Sequence, residues 1–159
     1  MDPRHFRYSE DSGVAVIRLD RPERLNAIIG SLIDLHDRHR LPLVLPVHPR
    51  TRKCFDQYLS PALRNALTGR SSIHLVPPAG FLDMIALEQG ARLVLTDSGG
   101  VQKEAFFFGK PCVILRPETE WVELVENGQA ILADADPKRI ADAADRFLAS
   151  GAPTCPPIF

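Results

Sequence analysis

The stretch Arg92-Leu93-Val94-Leu95-Thr96-Asp97-Ser98-Gly99-Gly100-Val101-Gln102-Lys103-Glu104-Ala105 changes its hydrophobic period at its centre. Leu93 to Leu95 are apolar on consecutive residues, the pattern of a strand covered on both faces. After Gly99, Val101, Ala105 and Phe108 recur at i, i+4 and i+7, the stripe by which a helix packs inward. Between the two stands a Ser-Gly-Gly turn. The segment therefore reads as strand, tight turn and helix.

The same alternation runs outward in both directions. Val14 to Leu19 precedes Leu25, Ile28, Ile29, Leu32 and Leu35 at helical spacing, and Leu43 to Val47 precedes a polar helix from about Arg50. Ile73 to Val76 leads into a helix over Phe81 to Gln89, Cys112 to Leu115 into Glu120 to Glu126, and Ala130 to Ala133 into Pro137 to Ala149. Six strands alternating with six helices predict an α/β chain with a doubly wound, mostly parallel six-stranded sheet, a Rossmann-like domain over residues 1–150. Gly90, Gly109 and Gly128 fall where helices end and a left-handed residue is wanted. Residues 151–159, with Gly151-Ala152-Pro153-Thr154-Cys155-Pro156-Pro157, read as an extended tail.

Composition narrows the function classes. Nineteen basic against 20 acidic residues leave a net charge of -1, so no general attraction to nucleic acid or anionic membrane exists and any anion site must be local. No apolar run approaches the roughly 18 residues of a membrane span, and Met1 is followed by Asp2, Pro3 and Arg4 rather than by a signal-peptide core. The chain reads as cytoplasmic. Cys54, Cys112 and Cys155 are odd in number and lack CxxC spacing, which argues for reduced thiols and against a zinc cage. No His/Asp/Glu cluster has ligand spacing, so neither a metal nor a cofactor is expected.

In an open parallel sheet, ligands bind beyond the carboxyl ends of the strands. After the fourth strand, Gly99 and Gly100 let backbone amides approach a ligand, and the first turn of a helix favours phosphate. Glu104, one turn on from Gly100, can accept hydrogen bonds from ribose hydroxyls. The plainer alternative is that Ser98 caps an ordinary helix. The segment is neither a P-loop nor a G-x-G-x-x-G fingerprint. After the second strand, His48-Pro49-Arg50-Thr51-Arg52-Lys53 brings an imidazole and cations to the same edge, where Arg50 or Arg52 can reach a phosphate or simply face solvent. After the third, Pro77-Pro78-Ala79-Gly80-Phe81 offers a ring to a base and Met84 an apolar wall, unless both are core. After the fifth, Arg116 stands beside Glu118 and Glu120, with Thr119 placed to cap the next helix.

Together with Gly109-Lys110-Pro111 and Thr119-Glu120-Trp121-Val122-Glu123-Leu124-Val125-Glu126-Asn127-Gly128, the D-S-G-G-x-Q-x-E-A segment resembles the non-hydrolysing UDP-N-acetylglucosamine 2-epimerases, over most of the chain. The resemblance is to the carboxyl-terminal, UDP-binding half of that family's glycosyltransferase-B architecture. It implies that Ser98, Gly99 and Gly100 hold the diphosphate, that Glu104 holds the ribose, and that Phe81 and Met84 lie near the uracil. It further implies Arg116 beside the phosphates, with His48 and Arg50 bordering the cleft.

The family interconverts UDP-N-acetylglucosamine and UDP-N-acetylmannosamine by eliminating and re-adding UDP. Its catalytic carboxylates come largely from the amino-terminal half, so no catalytic residue is assigned here. The expected partners are UDP or a UDP-N-acetylhexosamine and an amino-terminal partner domain; a homodimer stays open. A donor-binding half of a glycosyltransferase and a non-catalytic UDP-sugar module are the competing readings. One departure bears on all three: where the family carries a His-Arg pair after the first strand, this chain reads Ile17-Arg18-Leu19-Asp20-Arg21-Pro22.

Overall fold

The computed structural model describes residues 14–18, 22–150, 154, 158 and 159. Val14–Arg18 (β1), Leu43–Pro46 (β2), Ile73–Val76 (β3), Ala91–Thr96 (β4), Cys112–Ile114 (β5) and Ala130–Leu132 (β6) form one sheet. Its order is β3-β2-β1-β4-β5-β6, and each neighbouring pair is parallel. The helices are Leu25–His39 (α1), Pro49–Tyr58 (α2), Pro61–Thr68 (α3), Phe81–Gly90 (α4), Gly99–Phe107 (α5), Val122–Glu126 (α6) and Pro137–Ser150 (α7). A 3₁₀ turn, Pro22–Arg24, leads into α1.

The consecutive apolar residues of β2, β4 and β5 are explained by the two cores. Leu43, Leu45, Leu93, Leu95, Val113 and Leu115 pack on one face with Leu25, Ile28, Ile29 and Leu32 of α1 and Ile140, Ala144 and Phe147 of α7. Val44, Val94, Cys112 and Ile114 point the other way, against Leu87 of α4, Val101 and Ala105 of α5 and Leu124 of α6. β2, β4 and β5 thus bury side chains on both faces, as a parallel sheet sandwiched between helices requires.

The segment expected to be one polar helix from Arg50 is two. Leu59 and Ser60 are extended, with ψ of 128° and 145°, because the ring of Pro61 disfavours helical geometry in the residue before it. Ser60 then accepts a hydrogen bond from the Leu63 amide at 3.3 Å, and Pro61 occupies the first helical position. Among the glycines, Gly109 and Gly128 are left-handed, with φ of 65° and 73°. Gly90 is not: it ends α4, and the chain enters β4 directly at Ala91, with φ of −74° and ψ of 142°. Of residues 151–159, 151–153 and 155–157 lie outside the described residues, while Ile158 packs on the α4–α6 core and the Phe159 ring meets Phe106 and Trp121 edge-on.

Candidate functional site

The strand order reverses between β1 and β4, so the loops leaving their carboxyl ends diverge and open a crevice at that edge. α5 starts there. Ser98 is extended, and its amide is taken by the Thr96 hydroxyl at 3.0 Å. Its carbonyl accepts the Gln102 amide at 3.1 Å, the first bond of the helix, but its hydroxyl makes no capping bond. No acceptor of the described residues takes the amides of Gly99, Gly100 or Val101. Ser98 as a simple side-chain cap is therefore not what forms; the helix presents bare amides at the positive end of its dipole.

The loop between β5 and α6 folds over this helix start. The Trp121 indole donates to the Gly99 carbonyl at 2.9 Å, and the Thr119 hydroxyl donates to Gln102 Oε1 at 2.6 Å while accepting the Trp121 amide at 3.0 Å. Thr119 thus ties the loop to α5 rather than capping α6 from its ordinary place, and α6 begins at Val122, two residues later than expected. Lys103 lies 4.3 Å from the centres of both the Trp121 and Phe159 rings. Arg116 reaches back to Glu120, and the Glu120 carboxylate lies so close over Gly99 that a Cβ there would collide with it.

Glu104 follows one turn along α5 and is half-buried. Facing it from the last turn of α4 is Glu88, fully buried, whose two oxygens meet no N–H or O–H donor of the described residues. Burial, and then the charge and hydrogen bond of Glu104, push the Glu88 carboxyl up to about 8. Burial beside Glu88 likewise pushes the Cys112 thiol up to about 12, which makes it an inert core residue. α4 and α5 pack side by side and each follows a parallel strand, so both amino termini, and with them Phe81, lie at the carboxyl edge of the sheet. The Phe81 ring is 71% exposed, whereas Met84 packs partly into the α4–α6 core.

His48 and Arg50 are exposed at the start of α2, and His48 Nδ1 caps that helix by accepting the Arg50 amide at 3.2 Å. With β1 between β2 and β4, they stand about 10 Å across the edge from Ser98 at ordinary strand spacing. Asp20 and Arg21, the departure after the first strand, lie outside the described residues. Ser98, Gly99, Gly100 and Arg116 are therefore gathered at one helix start with Glu104 one turn on, Phe81 lies exposed at the same edge of the sheet, and His48 and Arg50 stand apart. Sequence reasoning missed Glu88 and the contacts made by Glu120 and Trp121. Among the described residues no cluster of three His, Cys, Asp or Glu could hold a metal ion, and no helix is long and apolar enough to cross a membrane.

Residues 16–155 match the family described as UDP-N-acetylglucosamine 2-epimerase. The chain belongs to that family. It is 46% identical over 129 residues to the Pseudomonas aeruginosa UDP-2,3-diacetamido-2,3-dideoxy-D-glucuronate 2-epimerase, covering 81% of this chain and 34% of the relative. To the Methanococcus maripaludis UDP-N-acetylglucosamine 2-epimerase it is 34% identical over 131 residues, covering 82% of this chain and 35% of the relative. The UDP-GlcNAc 2-epimerase of Methanocaldococcus jannaschii, whose structure is known in complex with UDP-GlcNAc and UDP, superposes with a TM-score of 0.75 at 32% identity, over 85% of this chain and 38% of that one. The chain spans about a third of the length of the curated epimerases it matches.

Proposed function

We propose that the chain is the UDP-binding half of a UDP-N-acetylglucosamine 2-epimerase, cytoplasmic, and catalytically incomplete without an amino-terminal half. The observation that carries the reading is the set of amides at Gly99, Gly100 and Val101, at the reversal point of the sheet, that no acceptor among the described residues takes. A diphosphate placed there accepts those N–H groups and the Arg116 guanidinium. Glu104 then accepts the ribose hydroxyls, the Phe81 ring and Met84 lie along the base, and His48 and Arg50 border the far side of the cleft.

In the whole enzyme the sugar loses its C2 proton as the bond from C1 to the diphosphate breaks, leaving a glycal and UDP. Re-addition of the proton to the other face and of UDP to C1 gives the 2-epimer. This half stabilises the negative charge on departing UDP, where donors fixed before reaction cost no reorganisation. The acid and base that serve C2 belong to the amino-terminal half. Titrating UDP into the chain by calorimetry tests the proposal: saturable heat is expected, and none at millimolar UDP overturns it.

A second reading keeps UDP and the C2 chemistry but changes the sugar to a 2,3-diacetamido uronate, favoured by the 46% identity to an epimerase named for that substrate. Turnover of the two UDP-sugars by the complete enzyme separates them.

A further inference from the structure

We infer that Glu88 is a positioning residue of the nucleotide site, an acid that donates its proton in a hydrogen bond to the Glu104 carboxylate and so holds Glu104 turned toward the ribose. The inference rests on the proposed UDP-binding role of Glu104 and adds a residue that touches no ligand.

Glu88 lies in the last turn of α4 and is fully buried between that helix and α5. Neither of its oxygens has an N–H or O–H donor among the described residues, and the neighbouring carboxyl group is that of Glu104 on α5, the helix packed beside α4. Two carboxylates cannot satisfy one another; a carboxylic acid and a carboxylate can, through one shared proton. A buried carboxylate left without a donor would be costly, so the neutral form of Glu88 is the one its surroundings accept. Glu104 is half-buried where Glu88 is fully buried, so it is the member of the pair that can offer lone pairs to a ligand.

The other charged groups around α4 leave this arrangement in place. From β5, Cys112 faces Glu88 as a neutral thiol. Arg92 of β4 turns to the opposite face, where it donates to the Leu148 carbonyl at 3.4 Å. β1, which also packs on α4, carries Arg18 at its carboxyl end, in register with Thr96 and far along the sheet from Ala91. Asp83 sits in the first turn of α4, at the other end from Glu88. With burial and Glu104 holding Glu88 protonated up to about pH 8, Glu88 carries its proton at neutrality. Above that pH the proton leaves, the two anions repel, and Glu104 loses its orientation.

The test is UDP affinity of the full chain from just above neutrality to about pH 9, between the last phosphate ionisation of UDP and the loss of its uracil N3 proton, read as the difference between wild type and Glu88→Gln so that any titration of UDP itself cancels. Wild-type affinity should fall about tenfold or more as the pair ionises, the loss of one hydrogen bond to a charged group. Glu88→Gln, whose amide donates without titrating, should bind UDP at neutrality within a few-fold of wild type and keep that affinity at high pH. Glu88→Leu, which removes the donor, should bind weakly at both.

Equal pH profiles for wild type and Glu88→Gln overturn the inference while leaving UDP binding intact. So does Glu88→Gln binding weakly at every pH, which would mean that the charge of Glu88 is what matters. Absence of UDP binding in wild type overturns the functional reading itself. Should Glu88→Gln fail to fold, Glu104→Asp serves: shortening the acceptor by one carbon breaks the pair, and an unchanged pH profile for UDP there overturns the inference.

Discussion

Arg116 Nη1 donates to Glu120 Oε2 at 3.0 Å, and the same carboxylate lies over Gly99 at the start of α5. The protein thus sets one of its own anions beside the amides and the guanidinium that a diphosphate would use. The pair is partly exposed, so its own contribution to stability is small. Its effect on a second anion is repulsive. Glu120→Gln should therefore tighten UDP binding two- to fivefold, about 0.5 to 1 kcal/mol, without lowering the melting temperature. Calorimetry in low and high salt checks this, because the gain should shrink as salt screens the repulsion.

Replacing Glu104 by Gln separates site from scaffold. The amide still occupies the half-buried position and can donate to Glu88, so no loss of melting temperature is expected. The charged acceptor for the ribose is gone, and UDP binding should weaken by about 1 to 3 kcal/mol. A loss of stability with unchanged affinity would return Glu104 to an ordinary place on the helix.

Glu88 also has a signature that needs no ligand. Its folded-state pKa is raised from 4.5 to about 8, so between those values the folded chain holds a proton that the unfolded chain has released. Stability must then fall as pH rises through that window, at up to about 1.4 kcal/mol per pH unit, and level off above it. Below the lower value both states are protonated and the effect vanishes. Denaturant melts at a series of pH values should show this slope in wild type and a flatter profile in Glu88→Gln, with a net gain on the order of a few kcal/mol for the variant near pH 8.

The sheet and most helices are legible because β2, β4 and β5 are buried on both faces and the long covering helices carry an apolar stripe; Leu93 to Leu95 against Val101 and Ala105 is the clearest instance. The break between α2 and α3 was written as Ser60-Pro61, a cap followed by a first-turn proline, but the polar residues around it carry so little hydrophobic period that one helix and two look alike. The start of α5 at Ser98, Gly99 and Gly100 is legible because the strand-to-helix change of period and the paired glycines mark it, and untaken amides follow from helix geometry alone. Glu88 is not, since a glutamate near a helix end ordinarily faces water and only the packing of α4 on α5 buries it. The Glu120 contact depends on how the loop after β5 folds, which no local pattern specifies.

Gly109 takes a φ of 65° in the turn after α5, and a Cβ there would meet nothing within 4 Å. Space is therefore not the constraint; the left-handed backbone is. Gly109→Ala should destabilise the fold by about 1 kcal/mol through conformational strain alone, and Gly109→Asn by less, because asparagine tolerates that region better. Equal stability of all three in urea melts would mean that the turn readjusts at no cost.

Trp121 is the single tryptophan of the chain, and its indole N–H is bonded to the Gly99 carbonyl at 2.9 Å, on the residue whose amide faces the proposed diphosphate. Its ring also carries the Lys103 ammonium at 4.3 Å. An anion seated on the start of α5 changes the field at the indole directly, whereas a nucleoside without phosphates leaves that helix start empty. UDP should therefore shift the tryptophan emission saturably, with the affinity found by calorimetry, and uridine should leave it unchanged at equal concentration. Trp121→Phe should abolish the signal and, by removing one hydrogen bond, cost about 1 kcal/mol of stability. An emission change produced equally by uridine would place the ligand against the aromatic cluster instead of on the amides.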